Sequence, residues 1–439
     1  MPYRRSKTRP LTPGGVPCII IHIMNDNYAN KEWFYRKRWI GRSVRTAFDA
    51  FPVTVVTGAR QVGKSTFLQN EFPGIRYLSL DDYPVLEQAK ADPASLWAGT
   101  DQVIIDEVQK APELLDAIKL AADNRRNVKK FILSGSSNLL LMKKVSESLA
   151  GRASYFEMLP MTSGEMAQYE IEGLNFPELW RKDLTLEERE LKRVDPVPLM
   201  RTGFMPPLMF LRGEAEILMW WEGYVRTYLE RDLRELSRVD SLIDFRGVMA
   251  ALALRTANPL NQSDVARDTR VSQPTVYRYV NLLEVSNLVS RVLPYFPSRT
   301  KRITKSPKIY FTDPALSIYL AGYHDHESLS GARELGGFFE SMVFLHLSAL
   351  CGLMVPKARI HYWRTTTGKE VDFILEQGKK LLAVECKLTR KPAYGDIKNL
   401  LAFMEDHPQT LRGILLHTGT SLRYLHSKVL AVPWWWMTV

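Results

Sequence analysis

The stretch that decides the fold is VTVVTGARQVGKSTFL, residues 53–68. It begins as an apolar run typical of a buried strand, continues as a loop and ends as a helix-forming segment. The loop GARQVGKS (58–65) matches G-x-x-x-x-G-K-[ST], and the strand and helix around it are the context that this pattern requires. Gly58 and Gly63 allow the backbone to curl so that N–H groups point at phosphate oxygens near a helix N-terminus. The alternative, an accidental glycine-rich turn, lacks this context.

Two side chains of the loop have predicted chemical roles. Lys64 is expected to reach the β- and γ-phosphates of ATP, and the Ser65 hydroxyl is expected to ligate Mg²⁺. A second motif, VIIDE (103–107), ends an apolar strand in two acids. We expect Asp106 to hold Mg²⁺ through water and Glu107 to orient or deprotonate the attacking water. The two motifs predict an ATPase with ATP and Mg²⁺ as cofactors. The predicted nucleotide contacts are Gly58, Ala59, Arg60, Gln61, Val62, Gly63, Lys64, Ser65 and Thr66.

Further side chains are candidates for the same site. The stretch FILSGSSN (131–138) ends a predicted strand in small polar residues, and Ser134 is assigned to the nucleotide site, with Ser136 and Asn138 also considered. An ordinary polar turn explains the same letters. Arg152 is a candidate catalytic arginine that acts in its own subunit or in a neighbour. The alternative for Arg152 is a solvated surface side chain.

The pattern around these motifs predicts an α/β fold. Strand-like runs at 75–80, 102–106 and 129–135 alternate with helical segments, which indicates a parallel sheet covered by helices. From 160 to 255 the sequence becomes helical, and WWEGYVRTYLERDLREL (220–236) has a clear 3.6-residue period.

Bulk composition indicates the class of partner. The 439 residues carry a net charge of +11 and a pI near 9.4, which suits a polyanion such as DNA but equally suits a solvated basic surface. Three distant cysteines indicate neither a disulfide scaffold nor a zinc site, and a reducing, cytoplasmic location fits. Without a stretch of about 18 uncharged apolar residues, no membrane span is predicted.

The segment 258–293 reads as a helix-turn-helix. Ser272 is a good N-cap with Pro274 just inside the next helix, and the apolar side chains of that helix share one face. The basic stretch PSRTKRITKSPK (297–308) fits the wing of a winged helix. Protein packing is the alternative use of such a module. The predicted DNA contacts are Gln273, Thr275, Arg278, Arg299, Lys301 and Arg302.

The stretch VDFILEQGKKLLAVECK (371–387) reads as a β-hairpin with charged groups at its open end. Asp372 and Glu385 on adjacent strands can hold a divalent metal ion, and Lys387 can stabilise developing charge, as in the D…E-x-K arrangement of restriction-like nucleases. Glu340, on a preceding apolar helix, is a fourth candidate. The alternative is a domain that keeps these charges for binding or assembly and does not cut.

These stretches resemble a known family, the AAA-type P-loop ATPases with a C-terminal domain of unknown function. The resemblance covers about residues 35 to 439 and implies an AAA-type core, a middle winged helix and a C-terminal restriction-endonuclease-like domain. The matching stretches are VTGARQVGKSTFL, VIIDEVQKAPELL, FILSGSSNLLL, SLAGRASYFEMLPMTSGE, YLERDLREL, KIYFTDPALSIYLAG and GGFFESMVFLHL. The predicted regions are an N-terminal extension (1–34), the ATPase core (35–160), a helical lid or linker (161–257), the winged helix (258–308) and the nuclease-like domain (309–439).

Three functional hypotheses remain open. The first is an ATP-driven protein that acts on DNA, in remodelling, repair, recombination or mobile-element processing. By fold analogy it is expected to form a homo-oligomeric ring, commonly of six subunits. The second is an ATP-dependent switch that binds DNA or protein and carries an inactive nuclease-like domain. The third is a mainly nucleolytic protein.

Overall fold

The predicted α/β class is confirmed in a computed structural model. A five-stranded parallel sheet, a helical middle region and a seven-stranded mixed sheet make up the architecture. The structure describes residues 34–124, 129–136, 149–232, 241–303 and 305–439.

The first sheet has the strand order β2-β3-β4-β1-β5, and every neighbouring pair is parallel. Parallel neighbours need crossover connections, which helices supply here. Hydrophobic cores cover both faces of the sheet. Because the strands are parallel, the carboxyl ends of β1 and β3, on either side of β4, lie at the same edge. The strands are β1 Val53–Gly58, β2 Arg76–Ser79, β3 Gln102–Asp106, β4 Lys130–Ser136 and β5 Ala153–Glu157. The helices are α1 Gly41–Ala50, α2 Lys64–Glu71, α3 Tyr83–Ala91 and α4 Leu114–Ala122.

The first part of the predicted lid, residues 161–204, packs against the C-terminal domain. Its elements are α5 Ser163–Met166, β6 Arg189–Glu190 and α6 Pro196–Thr202. β6 pairs antiparallel with a strand near the C-terminus. The Trp434 indole Nε1 donates to the Val194 carbonyl at 3.0 Å, and the Asn175 amide donates to the Val439 carbonyl at 2.7 Å. The predicted lid therefore contains two parts, and only its second part lies in the middle region.

The middle region consists of helices. They are α7 Glu214–Tyr224, which continues as a π-helix over Val225–Asp232, then α8 Leu242–Ala253, α9 Gln262–Thr269 and α10 Gln273–Val285. The predicted helix over 220–236 is observed to residue 232, and its remainder lies outside the described residues. As expected, Ser272 caps α10 by accepting a hydrogen bond from the Thr275 amide, and Val276 and Val280 are buried.

The stretch predicted to be the wing, residues 297–308, contains a short helix. The elements are β7 Val289–Val292, α11 Arg299–Ile303 and β8 Lys308–Phe311. β7 and β8 pair antiparallel, as a hairpin requires. Arg302 anchors this helix, because its guanidinium donates to the Glu376 carboxylate at 2.7 Å and to the Phe296 carbonyl at 2.6 Å. These bonds hold the connection against the C-terminal domain.

The C-terminal sheet has the order β6-β13-β14-β12-β11-β10-β9. Its own strands are β9 Arg359–Arg364, β10 Glu370–Gln377, β11 Lys380–Lys387, β12 Thr410–His417, β13 Ser421–His426 and β14 Val429–Pro433. The helices are α12 Pro314–Leu320, α13 His326–Ser330, α14 Leu335–Leu353 and α15 Lys398–Asp406. Among the described helices, α14 alone is long and apolar enough to cross a membrane, and most of its apolar stretch is buried in the protein core.

Candidate functional site

The phosphate loop connects β1 to α2 and needs glycine at both predicted positions. Gly63 has φ +89°, in the left-handed region where side chains are strained. A Cβ atom on Gly58 would collide with the Met158 carbonyl oxygen. The loop therefore has the curled backbone that the motif predicts.

Lys64 is buried at the start of α2, where its ammonium donates to the Gly58 and Ala59 carbonyls at 2.9 and 3.0 Å. Burial lowers the pKa of Lys64, and the Glu107 and Asp106 carboxylates act in the opposite direction. The ammonium thus lies within the curl of the loop, held by weak carbonyl partners that phosphate oxygens can replace.

Ser65 and Asp106 come together as predicted for a magnesium site. The Ser65 hydroxyl donates to Asp106 Oδ2 at 2.5 Å, across 41 residues of sequence. The Tyr77 hydroxyl donates to the same oxygen, and the Glu107 amide donates to Asp106 Oδ1 at 3.0 Å. Hydroxyl and carboxylate oxygens are the donors that Mg²⁺ prefers, so these residues fit the ion. The sequence analysis missed Tyr77, which lies on the neighbouring strand β2 and has no motif of its own.

Glu107, the predicted catalytic base, directly follows Asp106 at the end of β3. Its φ of +55° is unusual for a residue with a side chain. Burial, and then the neighbouring Asp106 carboxylate, raise the pKa of Glu107 above its ordinary value. The Gln109 side-chain amide donates to the Glu107 carboxylate and also to the Ser136 hydroxyl at 3.0 Å. Gln109 therefore links the acid to the end of β4, a role that no sequence pattern indicated.

Two residues predicted for the nucleotide site, Ser134 and Arg152, do not line the cavity beside the phosphate loop. Ser134 is fully buried within β4, and it does not line the nucleotide cavity; Ser136, two residues later, is the serine connected to Glu107. Arg152 forms an ion pair with the Asp123 carboxylate, with N–O distances of 2.5 and 2.8 Å, and also lies outside the cavity of its own chain. Its action in a neighbouring subunit remains a prediction. Asn138 lies outside the described residues.

A cavity of about 700 Å³ adjoins the phosphate loop and Glu107. Its far side is formed by residues outside the core strands, and the Phe34 and Phe210 rings meet edge to face there at 5.7 Å. The apolar lining suits a purine base next to the phosphate site. The sequence analysis missed these lining residues because they are far from the motif along the chain. They are Phe34, Met161, Pro206, Met209, Phe210 and Trp220.

A buried ion pair between Arg38 and Glu165 holds the backbone of the phosphate loop in place. The Arg38 guanidinium donates to the Glu165 carboxylate at 3.1 Å and to the Val62 carbonyl of the loop at 3.0 Å. Each of the two charged side chains is only 5% exposed. Glu165 also accepts from the Trp39 and Thr162 amides at 2.9 and 2.8 Å. This network joins the loop to the segment that packs on the C-terminal domain.

We expect Arg38→Met to lower the free energy of unfolding by about 3–5 kcal/mol, because it leaves the buried Glu165 carboxylate without its cation. The matched control is Arg42→Met, which breaks an exposed ion pair with Glu172 and should cost about 0–1 kcal/mol. Urea unfolding of both variants and the wild type checks this. Equal losses for the two variants would contradict the structural role of Arg38.

The predicted DNA contacts differ in their exposure: most of them are exposed or partly exposed, and one is buried. Gln273 and Arg278 are exposed on α10, and Thr275 is partly exposed. Arg299 and Lys301 are exposed on α11. Arg302 is 5% exposed and paired with Glu376, so its assignment to DNA is corrected: the guanidinium has a protein carboxylate as its partner.

The four predicted nuclease-site residues do converge at the open end of the β10–β11 hairpin. Lys387 Nζ lies 2.8 Å from Glu385 Oε1, and Asp372 Oδ2 accepts from the Cys386 amide at 2.8 Å. Burial, and then Asp372, raise the pKa of both Glu340 and Glu385. In both cases the contribution of Asp372 is repulsion between carboxylates.

A residue that the sequence analysis did not consider lies among these acids. Lys308 Nζ is 2.8 Å from Glu340 Oε1, 2.6 Å from Glu370 Oε1 and 3.9 Å from Asp372 Oδ1. Within the described residues, no group of three or more His, Cys, Asp or Glu side chains is arranged to hold a metal ion. With the Lys308 ammonium among them, these acids do not fit a nuclease metal ion.

Family models match three separate parts of the chain. An AAA domain matches residues 50–167, a domain of unknown function (DUF8612) matches residues 197–327, and a domain of unknown function (DUF4143) matches residues 335–437. The AAA part of the resemblance is confirmed. The winged helix and the nuclease-like fold remain predictions.

The chain is also similar to individual proteins. An uncharacterized protein of Mycobacterium tuberculosis is 28% identical over 392 residues, covering 89% of this chain and 82% of that protein. An uncharacterized protein of Methanocaldococcus jannaschii is 23% identical over 389 residues, covering 84% and 82%.

Two solved structures give weaker matches. A Walker-type ATPase of Pyrococcus abyssi is 16% identical with a TM-score of 0.44, covering 66% of this chain and 99% of that one. A RuvB variant of Thermotoga maritima is 16% identical with a TM-score of 0.27, covering 58% and 88%. The phosphate loop, the Ser65–Asp106 pair and the family match together identify the first part of the chain as a P-loop ATPase domain of the AAA type.

Proposed function

We propose that this protein hydrolyses ATP and uses the nucleotide cycle to act on DNA. The observation that carries the proposal is the convergence of Lys64, Ser65, Asp106 and Glu107 beside one large cavity. Bound Mg²⁺ would neutralise charge on the phosphates, and Ser65 and Asp106 would hold it.

The residues of the chain divide the work of hydrolysis between binding and proton transfer. Lys64 exchanges its two carbonyl partners for phosphate oxygens, which stabilises the charge of the transferred group. Glu107 accepts a hydrogen bond from the attacking water and takes its proton, and its raised pKa favours that transfer. Gln109 orients the Glu107 carboxylate by donating to it from its side-chain amide. The same amide nitrogen lies 3.0 Å from the Ser136 hydroxyl oxygen, so Gln109 links Glu107 to Ser136.

A direct route connects the nucleotide to the middle region. The Tyr224 hydroxyl on α7 donates to the Arg60 carbonyl of the phosphate loop at 3.3 Å, and the Arg60 guanidinium lies 5.8 Å from the Tyr228 ring centre. Trp220 on the same helix lines the cavity. A change in the conformation of the phosphate loop is therefore transmitted to α7 through these contacts. The helices proposed to bind DNA follow α7 along the chain.

DNA binding is proposed for the exposed side of α10 together with α11. Gln273, Tyr277 and Arg278 are exposed near the start of α10, a position from which helix-turn-helix proteins reach the major groove. Arg299 and Lys301 on α11 add positive charge that can contact phosphates. The net charge of +11 attracts a polyanion from a distance.

We expect the double variant Arg299→Ala/Lys301→Ala to weaken DNA binding across all sequences and to lower the salt slope by about 1–2, because phosphate contacts release counterions. The matched control is Lys379→Ala/Lys380→Ala, which removes the same charge from an exposed turn of the C-terminal hairpin. Fluorescence anisotropy over a salt series measures both. If the control lowers the slope equally, the effect comes from net charge and the proposed surface is wrong.

The second candidate function is an ATP-dependent switch whose C-terminal domain does not cut. The Lys308 ammonium among the predicted nuclease carboxylates favours it. ATPase rates with single-stranded, duplex and branched DNA distinguish the two: stimulation of turnover by DNA supports an ATP-driven action, whereas nucleotide-gated affinity without stimulation supports a switch. Mass in solution with ATP tests the proposed homo-oligomeric ring.

A further inference from the structure

A second cavity lies at the start of strands β12 and β14, at the end of the C-terminal sheet where the β10–β11 hairpin has its turn. Its volume is about 470 Å³, within the usual range of small-molecule sites. Arg412 lines it from β12, three residues before Leu415, which is the neighbour of Glu385 in the sheet. About 10 Å along the strand therefore separates this cavity from the level of the predicted nuclease acids.

The charged side chains around this cavity are all positive. Among the described residues that line it, two are exposed lysines, one is a buried arginine, and none is an aspartate or a glutamate. Hydroxyl groups and apolar side chains complete the lining. The three charged residues are Lys182, Arg412 and Lys428. A cavity lined by one sign of charge attracts a ligand of the opposite sign, here an anion.

Arg412 is buried without a carboxylate partner. The residue is 7% exposed, its Nη2 donates to the Arg181 carbonyl, and its Nε is buried and has no hydrogen-bond partner. In the part of the chain that the structure describes, no carboxylate forms an ion pair with it. Asp183, the nearby acid, lies 3.8 Å from the Arg181 guanidinium instead. Burial lowers the pKa of Arg412, as expected for a cation that has left water.

The wall that faces these strands is fixed by hydrogen bonds from Tyr424 on β13. Its hydroxyl donates to the Leu184 carbonyl at 3.4 Å, and its amide donates to the Glu188 carboxylate at 2.9 Å. The segment around Leu184 is thereby held over the start of β12. A buried charge with an unpaired donor is costly, and in a preformed cavity it commonly marks a missing ligand.

We propose that this cavity binds a small organic phosphate, with Arg412 and the two lysines around its phosphate monoester group. A guanidinium matches the geometry of phosphate oxygens and donates to two of them at once. A phosphate monoester carries a charge of about −1.5 to −2 at neutral pH, which matches three cations better than the single charge of a DNA phosphodiester. Leu184, Leu430 and the Tyr424 ring offer apolar surface to the organic part of the ligand.

This inference goes beyond the proposed function, because its test requires neither ATP hydrolysis nor DNA. Phenyl phosphate is the probe, since it combines a monoester with an apolar ring, and excess ADP with Mg²⁺ keeps it away from the phosphate loop. Calorimetric titration of the full chain measures its affinity. We expect Arg412→Gln to weaken binding roughly 10–100-fold, because charge-assisted hydrogen bonds are lost while the glutamine amide can still donate to the Arg181 carbonyl.

Arg423→Gln is the matched control. Arg423 is an exposed arginine of β13 that also donates to a carbonyl, that of Pro392 at 2.7 Å, but it does not line the cavity. It should bind phenyl phosphate as the wild type does. Equal losses in the two variants, or no binding of phenyl phosphate to the wild type, would overturn the proposal.

Two further ligands test the chemical class. Methyl phenyl phosphate, a diester, should bind at least roughly tenfold more weakly than the monoester, because it carries a single charge. Inorganic phosphate should also bind more weakly, because it has no apolar part. Equal affinity for phenyl phosphate and inorganic phosphate would overturn the assignment to an organic ligand. If Arg412→Gln weakens binding of duplex DNA and not of phenyl phosphate, the cavity contacts the DNA backbone and the proposal is wrong.

The two lysines decide the question if Arg412→Gln does not fold, because both are exposed. Lys182→Ala/Lys428→Ala should weaken binding of phenyl phosphate roughly 3–10-fold, the range expected for two exposed charges. Lys379→Ala/Lys380→Ala removes the same charge elsewhere and should leave the affinity unchanged. An unchanged affinity in the first pair would overturn the proposal. ATP turnover of the same samples shows separately whether the proposed ATPase function holds.

Discussion

Replacement of Glu107 by glutamine is expected to lower kcat for ATP hydrolysis by about 10²–10⁴-fold, the usual contribution of a positioned general base. Glutamine keeps the size of the side chain and its contact with Gln109 but cannot accept the proton of water. Because Glu107 is not expected to contact the phosphates directly, ATP affinity should change little. The variant should therefore bind ATP and fail to turn it over.

Phosphate release and equilibrium ATP binding, measured on the same preparation, check the Glu107 prediction. Glu113→Gln is the matched control, because Glu113 is an exposed acid in the segment that follows Glu107. It should hydrolyse ATP at the wild-type rate. If Glu107→Gln retains wild-type kcat, another group activates the water and the assignment of Glu107 is wrong.

Replacement of Lys64 by alanine is expected to weaken ATP binding by roughly 100-fold or more, because charge-assisted bonds to phosphate are lost from a partly dehydrated loop. Hydrolysis should fall to background. Stability should fall little, since the partners of the buried ammonium in the described part of the chain are the Gly58 and Ala59 carbonyls, and its own burial is unfavourable.

Calorimetric titration with ATP and Mg²⁺ tests the Lys64 prediction. Lys90→Ala removes an exposed charge from α3 and should bind ATP normally. Unfolding curves of both variants verify that the loss is one of binding. Normal ATP affinity in a folded Lys64→Ala protein would show that the phosphate loop does not hold the nucleotide.

The sequence predicted local features well where one short segment contains all the necessary information. The strand, loop and helix around Gly58 and Gly63 follow from local conformational preferences, and so does the cap of α10 by Ser272. The β10–β11 hairpin also follows from alternation and a turn. The placement of Glu107 beside the phosphate loop was predicted because its motif lies at the end of an apolar strand.

Predictions from the sequence are wrong where the partner of a side chain is remote along the chain. The sequence predicts that Ser134 and Arg302 can contact a ligand. In the structure, Ser134 is buried inside the sheet, and Arg302 is paired with Glu376. Residues 161–204 follow the ATPase core in the chain but pack on the C-terminal domain. Burial and charge pairing depend on which segments meet, and one chain read in order does not contain that information.

The sequence by itself determined the phosphate loop, the placement of Asp106 at the end of a buried strand and the α/β class, because these depend on neighbouring residues and on the periodicity of each element. Tertiary structure alone decided the apolar lining of the nucleotide cavity, the Gln109 link to Ser136 and the position of Lys308. Lys308 reads as one basic residue in a basic stretch. Only the packing of β8 against α14 and β10 shows that its charge balances buried carboxylates, since electrostatic energy depends on distance in space and not on separation along the chain.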